Sequence, residues 1–342
     1  MAVTSYGAPL ESLEVEEPVL FEGSAMLEVL TCGVCFSDVK TARGKMPYSR
    51  QLPLPHICGH EVCGRVLATN PPGAIEGGTV VVCYHVWPCR VCSRCRAGQD
   101  NLCLRPRAWL GFKTPGGFQE RVVVPLDRLT EVPEGIDPVH AASMTCALGT
   151  GYRAAIGQGR ITPGARVVVV GLGGVGIHAL QVARAAGARA IGVDVSDRSI
   201  EAAHGLGLEA WDNRDPDIVE RVLSATDGEG ADVVIDCVGH EDTVARSEKL
   251  VRAGGRIVAV GYSLTSDFRI PSTRFVLEEV ELVGSRYVLM DELQQAIRLV
   301  ADGEVQMVVD RVEPLEKAND VMESLESGEI VGRAVLDVAG VT

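Results

Sequence analysis

The sequence is poor in three features, and each shortage narrows what the protein can be. Basic residues are outnumbered, with 32 Lys and Arg against 46 Asp and Glu and a formal net charge of −14. Such an acidic chain repels phosphate backbones and anionic lipids, which argues against nucleic acid and membrane partners. No apolar run reaches the roughly 18 residues of a membrane span, and residues 1–17 lack the basic start and apolar stretch of a secretory signal. We therefore expect a cytoplasmic globular protein.

What the sequence does contain is enough length and apolar content for about two packed domains. Its 342 residues exceed the usual size of one domain. The hydrophobic content of 46% and the 38 glycines fit cores that are joined by many turns. Eleven cysteines are present in a chain without an export signal. Because intracellular thiols stay reduced, clustered cysteines there bind metal or do chemistry more often than they form disulfides.

From about Thr162 onward, β-branched runs alternate with helical patterns. Arg166–Val170 (RVVVV) predicts a strand buried on both faces. The helix predicted at Val175–Ala186 stops at Gly187, a residue type that commonly ends helices. Further strands are predicted at Ala190–Val193, Asp232–Ile235 and Arg256–Val260. Strands separated by helices predict an α/β fold with a doubly wound parallel sheet.

The region before this block has a different texture. Short β-rich segments lie between proline and glycine turns, at Met26–Leu30, Gly64–Leu67, Thr79–Cys83 and Phe118–Val124. This pattern predicts a mostly β, barrel-like domain. After Asp291 the sequence predicts a helix, followed near the end by a strand at Arg333–Val338. The predicted domains are therefore residues 1–147 and 148–286, with a terminal segment at 287–342.

A glycine-rich turn, Gly171-Leu172-Gly173-Gly174-Val175-Gly176, follows the RVVVV strand and opens the next helix. The first glycine makes the tight turn, the second lets the backbone approach a pyrophosphate, and the third allows close packing of helix on strand. Asp194 ends the next predicted strand 23 residues after Gly171, near the ~20 expected for a carboxylate that binds ribose hydroxyls. Because Asp194 would repel a 2′-phosphate, NAD is favoured over NADP, although nearby Arg198 leaves NADP open.

Four cysteines form one compact group: Cys89, Cys92, Cys95 and Cys103, with spacings of 3, 3 and 8. Four thiolates in one short loop can close a tetrahedral zinc site with no position left for substrate, so the predicted metal is structural. An iron–sulfur cluster is the alternative, but ferredoxin motifs end with a different spacing and a proline, whereas Leu104 follows Cys103 here.

Four more candidate ligands are dispersed along the chain: Cys35, His60, Glu61 and Cys146. Spacing alone does not connect them, because any of them could be a core residue. Their context closely resembles the zinc-dependent medium-chain dehydrogenase/reductase family, the alcohol dehydrogenases. The resemblance runs from about residue 30 to 195 and is carried by Gly33-Val34-Cys35-Phe36-Ser37-Asp38, Gly59-His60-Glu61, the Cys89–Cys103 loop, Thr145-Cys146 through Thr150-Gly151-Tyr152, and the glycine-rich turn.

The resemblance implies a fold and a second zinc site. Cys35, His60 and Cys146 would hold a catalytic zinc, while Glu61 lies beside the metal and can ligate it transiently. Asp38 would orient the ligand histidine, a common arrangement around zinc. The implied fold is a Rossmann domain plus a discontinuous, mostly β, GroES-like catalytic domain that residues 287–342 complete. Two zinc ions per chain are expected.

The resemblance also implies roles around the cofactor and the substrate. Arg333 resembles the family arginine that contacts the cofactor phosphate, and Thr150, Val238 and Gly261 complete the expected NAD site. Ser37 matches the hydroxyl that takes the alcohol proton and passes it towards the ribose. Many relatives place a histidine three residues later, where this chain has Lys40, so we leave Lys40 out of the catalytic set. Aromatic side chains that would favour apolar or aromatic alcohols are Phe36, His85, Trp87 and Trp109.

The function implied is a zinc-dependent oxidoreductase that transfers hydride reversibly between a small alcohol and NAD, giving an aldehyde or ketone. A polyol or amino-alcohol (threonine-type) dehydrogenase is the alternative within the same family. A non-catalytic nucleotide-binding redox sensor is the alternative of another class, for which the four-cysteine zinc loop would suffice. Relatives pair their coenzyme domains edge to edge, so a homodimer or homotetramer is expected.

Overall fold

The computed structural model describes residues 1–47 and 52–341, which form two units. The first comprises Met1–Cys146, Leu289–Ile297 and Val309–Thr342; the second comprises Ala147–Val288 and Arg298–Val308. Residues 298–308, predicted within the terminal segment, thus belong to the second unit. The physical reason is a set of hydrogen bonds: the Gln181 amide exchanges two with the backbone of Gln306, and His178 Nε2 accepts one from the amide of Val308.

The first unit begins with short strands and helices. Its strands up to residue 146 are β1 (Ser24–Val34), β2 (Glu61–Asn70), β3 (Val80–Cys83), β4 (Val86–Trp87), β5 (Ala108–Trp109), β6 (Arg121–Pro125) and β7 (Leu129–Glu131). Its helices in this part are α1 (Phe36–Ala42), α2 (Ser93–Arg96) and α3 (Pro138–Ala142).

Strands and helices alternate in the second unit. The strands are β8 (Arg166–Val170), β9 (Arg189–Asp194), β10 (Glu209–Asp212), β11 (Ala231–Asp236), β12 (Val251–Ala259) and β13 (Glu281–Gly284). The helices are α4 (Ala147–Tyr152), α5 (Gly174–Ala185), α6 (Asp197–Gly205), α7 (Ile218–Ala225), α8 (Glu241–Leu250) and α9 (Ser272–Leu277).

The remaining elements are α10 (Met290–Ala301), β14 (Val309–Pro314), α11 (Ala318–Glu326) and β15 (Arg333–Asp337). No helix in the described ranges is both long and apolar enough to cross a bilayer.

Strand β1 is central to the sheet of the first unit, whose order is β14-β15-β1-β2-β3-β7, with β6 also paired to β1. The register places Gly33 of β1 opposite Glu61 of β2, and Val34 opposite Ala334 of β15. The end of β1, the start of β2 and the start of β15 therefore meet at one place in the sheet. The mostly β character predicted for this region is confirmed.

The core of the first unit follows from alternation along its strands. Leu27 and Val29 of β1 and Val62 and Val66 of β2 are at most 1% exposed. Side chains two residues apart share one face of a strand, so these residues form a continuous apolar layer. Phe118 packs into the same cluster. This buried layer holds the strand ends, and the side chains that they carry, in a defined register.

The sheet of the second unit is parallel throughout, with the order β10-β9-β8-β11-β12-β13. The predicted strand Arg166–Val170 is β8, and its four valines are at most 1% exposed, as a strand covered on both faces requires. The chain order reverses between β8 and β11, and ligands of such sheets bind at this switch point, outside the carboxyl ends of the strands. The predicted doubly wound α/β fold is confirmed.

Candidate active site and metal centres

The dispersed candidate ligands meet in the first unit. One ligand atom from each of Cys35, His60, Glu61 and Cys146 lies within 4.8 Å of the others. Cys35 directly follows β1 and His60 directly precedes β2, so the antiparallel register of these two strands brings both residues together. Cys146 follows a short helical turn, Ser143–Thr145, that packs against β2 and β3.

Asp38 holds two of these ligand segments in place. Its Oδ1 accepts from His60 Nδ1 at 3.0 Å and from the amide of Gly59 at 3.1 Å, while Oδ2 accepts from the amide of Cys35 at 2.9 Å. Burial lowers the pKa of His60, but the Asp38 carboxylate and the Cys35 thiolate together raise it well above its usual value. With Nδ1 engaged by Asp38, Nε2 is the nitrogen that can bind a metal.

The thiols of Cys35 and Cys146 share a hydrogen bond. A hydrogen bond from Cys146 lowers the pKa of Cys35 well below its ordinary value, and Arg333 and His60 add to the effect. The same hydrogen bond raises the pKa of Cys146. A divalent cation bound by both sulfurs would replace the proton that they share. Two thiolates and one imidazole are the donors that zinc takes in a catalytic site with an open position, so these residues fit zinc.

Glu61 and Arg333 form a buried ion pair beside these thiols. Arg333 Nε lies 3.0 and 3.3 Å from the two carboxylate oxygens, and Nη2 lies 3.7 Å from Cys35 Sγ. Burial raises the pKa of Glu61, and Arg333 opposes that rise. A Cβ at Gly33 would come within 2.4 Å of Glu61 Oε2, so only glycine leaves room for this carboxylate. The structure places Arg333 among the metal-site groups, and its contact with a cofactor phosphate stays a prediction.

The four clustered cysteines form a separate site. Cys92 and Cys95 Sγ are 3.4 Å apart, while the Cys89–Cys95 and Cys92–Cys103 sulfur distances are both 4.0 Å. A tetrahedron with Zn–S bonds of 2.3 Å has edges of about 3.8 Å, so this arrangement fits zinc. Backbone amides of Cys95 and Leu104 lower the pKa of Cys92 to about 6, which favours its thiolate at neutral pH.

The glycine-rich turn lies at the carboxyl edge of the second sheet, between β8 and α5. A Cβ at Gly176 would come within 1.7 Å of the Gly171 carbonyl oxygen, which explains the third glycine as a close-packing position. Asp194 ends β9 and accepts hydrogen bonds from the amide of Leu172 within the turn and from the amide of Ser196 at 2.8 Å. Its carboxylate therefore lies beside the turn, where a ribose would follow the pyrophosphate.

The other expected cofactor residues also belong to the second unit. Thr150 is buried in α4, while Val238 and Gly261 follow β11 and β12 at the same sheet edge as the turn. Sequence reasoning missed Asp236, a buried residue at the end of β11. Its Oδ1 accepts from the amides of Val238 and Gly239 at 2.9 and 2.8 Å, which fixes the backbone there. An acidic residue that ends an apolar strand three residues before a glycine was the available signal.

One expected pocket residue lies against the ligand histidine. The ring of His85 is 5.1 Å from that of His60, and the ring of Phe112 is 4.5 Å from it. All three side chains are buried. Phe112 was missed by sequence reasoning, because no motif distinguishes it from an ordinary core phenylalanine. These two aromatic rings shield one side of the His60 imidazole from water.

The remaining expected pocket residues lie on α1 and on the β4–β5 ribbon. Phe36 is 45% exposed, and Lys40 Nζ lies 5.6 Å from the centre of its ring. Ser37 follows in the first turn of α1 and is half-buried. Trp87 packs near Phe21, and the ring of Trp109 lies 4.9 Å below a lysine ammonium, Lys113 Nζ. Their contact with substrate stays a prediction.

A two-thiolate, one-histidine site, a four-thiolate site and a dinucleotide turn define the class of zinc- and dinucleotide-binding oxidoreductases. Comparisons with known proteins agree. Residues 22–134 match the alcohol dehydrogenase GroES-like domain, and residues 174–302 match the zinc-binding dehydrogenase domain. The iron–sulfur alternative for the cysteine loop has no counterpart in these matches.

Whole-chain relatives narrow this class. An alcohol dehydrogenase of Geobacillus stearothermophilus is 34% identical, with 98% of this chain and 97% of the relative covered. An NAD-dependent alcohol dehydrogenase of Sulfurisphaera tokodaii is 32% identical, with 98% and 99% covered. The crystal structure of the Aeropyrum pernix alcohol dehydrogenase superposes with a TM-score of 0.90 at 32% identity, covering 98% and 99% of the two chains. The chain belongs to the zinc-dependent medium-chain dehydrogenase/reductase family.

Proposed function

We propose that this chain is an NAD-dependent zinc alcohol dehydrogenase, which transfers hydride reversibly between an alcohol and NAD and forms an aldehyde or ketone. The observation that carries the proposal is the convergence of Cys35, His60, Glu61 and Cys146 within 4.8 Å. A purely structural metal would not need a carboxylate and an ion-paired arginine at its side. The names of the relatives from Geobacillus stearothermophilus and Sulfurisphaera tokodaii support the same activity.

The residues of the first unit would position the zinc and the substrate and supply the charged groups around them. When bound, zinc polarises the substrate oxygen as a Lewis acid, and NAD carries the hydride. Cys35, His60 and Cys146 would hold the metal and leave one position open for the substrate. Asp38 keeps the imidazole in the tautomer that presents Nε2. Glu61 Oε1 lies 4.0 Å from that nitrogen, so the carboxylate is close enough to exchange with the substrate position.

Ser37 is the proposed first acceptor of the alcohol proton. It lies two residues after Cys35, in the first turn of α1. Lys40 follows on the same face of this helix, since residues three apart are neighbours there. Burial lowers the pKa of Lys40, while the nearby Cys35 thiolate raises it. We keep Lys40 outside the catalytic set, because a charged ammonium does not accept a proton.

The second-unit residues hold the cofactor. The amides at the start of α5 would face the pyrophosphate, and Asp194 beside the turn would receive the ribose hydroxyls. A carboxylate at this position repels a 2′-phosphate, so we expect NAD to be used in preference to NADP. The ratio of kcat/KM for the two cofactors measures this preference directly.

The test of the proposed function is NADH formation over a panel of aliphatic, aromatic and polyol alcohols and threonine, with and without a zinc chelator. We expect turnover with simple alcohols, its loss on chelation, and two zinc ions per chain. Turnover confined to polyols or threonine would favour the alternative dehydrogenase. One zinc ion per chain with no turnover of any substrate would favour the redox sensor.

The proposed assembly is a homo-oligomer located in the cytoplasm. Strand β13 ends the second sheet and pairs there only with β12 among the described strands. Helix α9, just before it, exposes Phe275, Val276 and Leu277 by 53, 66 and 78%. An open sheet edge beside exposed apolar side chains favours pairing with a second copy. A reducing compartment suits a chain whose two metal sites both need thiolates. Leu277→Glu should reduce the molar mass measured by light scattering.

A further inference from the structure

Asp236 is a fully buried carboxylate at the end of an apolar strand, β11. The three residues before it, Val233, Val234 and Ile235, are at most 5% exposed. A carboxylate at such a position costs free energy unless hydrogen bonds replace the water that it loses, whereas an apolar residue would pack there without that cost. Packing alone therefore does not explain why the strand ends in an acidic residue.

Both the side chain and the backbone of Asp236 bind amides of the loops that follow β11 and β12. Its Oδ1 accepts hydrogen bonds from the amides of Val238 and Gly239 at 2.9 and 2.8 Å. Its carbonyl oxygen accepts from the amides of Val260 and Gly261 at 2.8 and 3.1 Å. One residue thus binds four backbone amides, two from each loop.

The same two loops are in direct backbone contact. A Cβ at Gly239 would come within 1.9 Å of the carbonyl carbon of Gly261, and a Cβ at Gly261 would come within 2.3 Å of the carbonyl carbon of Val238. Gly239 also has a φ of +72°, in the left-handed region that favours glycine. Because no side chain fits between the loops, a shift of one loop moves the other as well.

The order of the strands shows which half of a dinucleotide these loops would meet. The glycine-rich turn follows β8, with β9 on one side of it and β11 and β12 on the other. With the pyrophosphate at the turn and the adenosine ribose at Asp194 after β9, the nicotinamide half is left with the side of β11 and β12. Val238, which is 46% exposed, and Gly261 follow these two strands.

We propose that Asp236 is a positioning residue for the nicotinamide half of the cofactor. It touches neither cofactor nor substrate, and it acts by holding both loops in the one arrangement in which Val238 and Gly261 meet that half. The adenosine half is held by the turn and by Asp194, so its binding does not depend on Asp236. This role rests on the NAD site that the proposed function places in the second unit.

Three variants of the full-length, zinc-loaded protein test this role. Asp236→Ala removes the acceptor for the amides of Val238 and Gly239 and should release the loop after β11. Asp236→Asn is the conservative variant, because its amide oxygen can still accept from both amides. Gly239→Ala leaves the carboxylate in place and forces the loops apart through the added Cβ, at a residue outside the expected cofactor contacts.

Asp232→Ala is the matched control, because it removes a carboxylate near the other end of the same strand. Asp232 Oδ1 lies 2.6 Å from Arg252 Nε, and Oδ2 lies 3.3 Å from Arg166 Nε. These ion pairs lie at the amino edge of the parallel sheet, opposite the edge that carries the glycine-rich turn. The control should therefore lower the melting temperature and leave cofactor binding unchanged.

Calorimetric titration with NADH and with ADP separates the two halves, since ADP carries adenosine and pyrophosphate but no nicotinamide. We expect Asp236→Ala to raise the Kd for NADH about thirtyfold and Gly239→Ala to raise it about tenfold, because a loosened site loses the benefit of preorganised contacts. The Kd for ADP should stay within about threefold of the wild type in both variants. Asp236→Asn should stay within about threefold for both ligands.

The proposal is overturned if Asp236→Ala and Gly239→Ala bind NADH as tightly as the wild type. It is also overturned if they lose affinity for NADH and ADP equally, because Asp236 would then support the whole unit. Asp236→Asn as weak as Asp236→Ala would contradict it too, since the acceptor would not suffice. Where Asp236→Ala does not fold, the Asn and Gly239 variants decide. A wild type that binds neither ligand would overturn the proposed NAD site, and this role with it.

Discussion

The two metal sites of this protein are built in opposite ways. The four-cysteine loop, residues 89–107, which we call the zinc lobe, takes its four ligands from the 15 residues of Cys89–Cys103, which have little apolar core of their own. The other site takes its ligands from residues 35, 60, 61 and 146, and the buried sheet of the first unit positions them. In the lobe, metal binding stabilises the fold of the loop. At the catalytic site, the fold positions the ligands before the metal binds.

The groups that surround the sulfurs also differ between the two sites. Backbone amides stabilise two sulfurs of the lobe, since they lower the pKa of Cys89 and that of Cys92. At the catalytic site, a hydrogen bond from Cys146 and the charge of Arg333 lower the pKa of Cys35, whereas the Glu61 carboxylate helps to raise that of Cys146. The charged side chains of Asp38, Glu61 and Arg333 are each at most 5% exposed there. The fold of the lobe depends on its metal, whereas the buried sheet holds the catalytic site in place without one. We therefore expect lobe variants to affect stability most, and catalytic-site variants to affect turnover most.

Cys146→Ser should have the largest effect on turnover. The serine has a similar volume but binds zinc far more weakly than a thiolate, so kcat should fall by about a thousandfold or more. Zinc content should fall from two ions per chain to one. The melting temperature should change little, since the sheet remains intact. Unchanged kcat in a protein with one zinc would contradict the assignment of this site.

Cys103→Ser is the matched change in the lobe, and it should reverse the pattern. Loss of a structural zinc removes folding free energy, which we put at about 3 kcal/mol, or a decrease of roughly 10 °C in Tm. The remaining zinc should sit at the catalytic site, and kcat per folded chain should stay within about threefold of the wild type. Calorimetry and zinc analysis measure both quantities. A loss of turnover at full stability would reverse our assignment of the two sites.

Asp38→Asn should have an intermediate effect confined to the catalytic site. The amide keeps the size of the carboxylate but removes the charge that orients His60 and holds Cys35. Loss of such a partner costs about 10- to 100-fold in metal affinity or activity. Competition with a chelator should show one zinc ion bound more weakly and the lobe zinc unchanged. Equal weakening of both ions would show that Asp38 acts on overall stability instead.

Lys40→Ala should have the smallest effect, and it should appear mainly in the pH profile. Burial lowers the pKa of Lys40, so the ammonium loses its proton, and its charge, at a lower pH than an exposed lysine does. A plot of kcat against pH for the wild type should therefore show an inflection on its alkaline side where Lys40 loses its proton. The variant should lack that inflection. At neutral pH, kcat should stay within about threefold of the wild type. Complete loss of turnover would place Lys40 in the proton path.

Features that depend on near neighbours in the chain could be predicted from the sequence. The strand Arg166–Val170 is a run of β-branched residues, and the structure has the strand at those residues. The glycine spacing of the turn after it reflects close packing, since a Cβ at Gly176 would come within 1.7 Å of the Gly171 carbonyl oxygen. The zinc lobe belongs to the same group, because its ligands lie within a few residues of one another.

Other features could not be predicted in this way. The sequence pattern suggested one terminal segment from residue 287, but Gln181 ties residue 306 to the second unit. Phe112 and Asp236 have no motif, and only their contacts reveal them. Arg333, which the resemblance assigns to the cofactor phosphate, also pairs with Glu61 through its guanidinium, and no sequence pattern predicted this ion pair.

The sequence by itself determined the first strand, the glycine turn and the helix of the dinucleotide site, the four-cysteine lobe and the acidic character of the chain, since periodicity, short spacing and composition are local properties. Only the tertiary structure decided that Cys35, His60, Glu61 and Cys146 share one site and that Asp38 holds two of their segments. These depend on strand register across long sequence separations, which the packing of the whole unit sets.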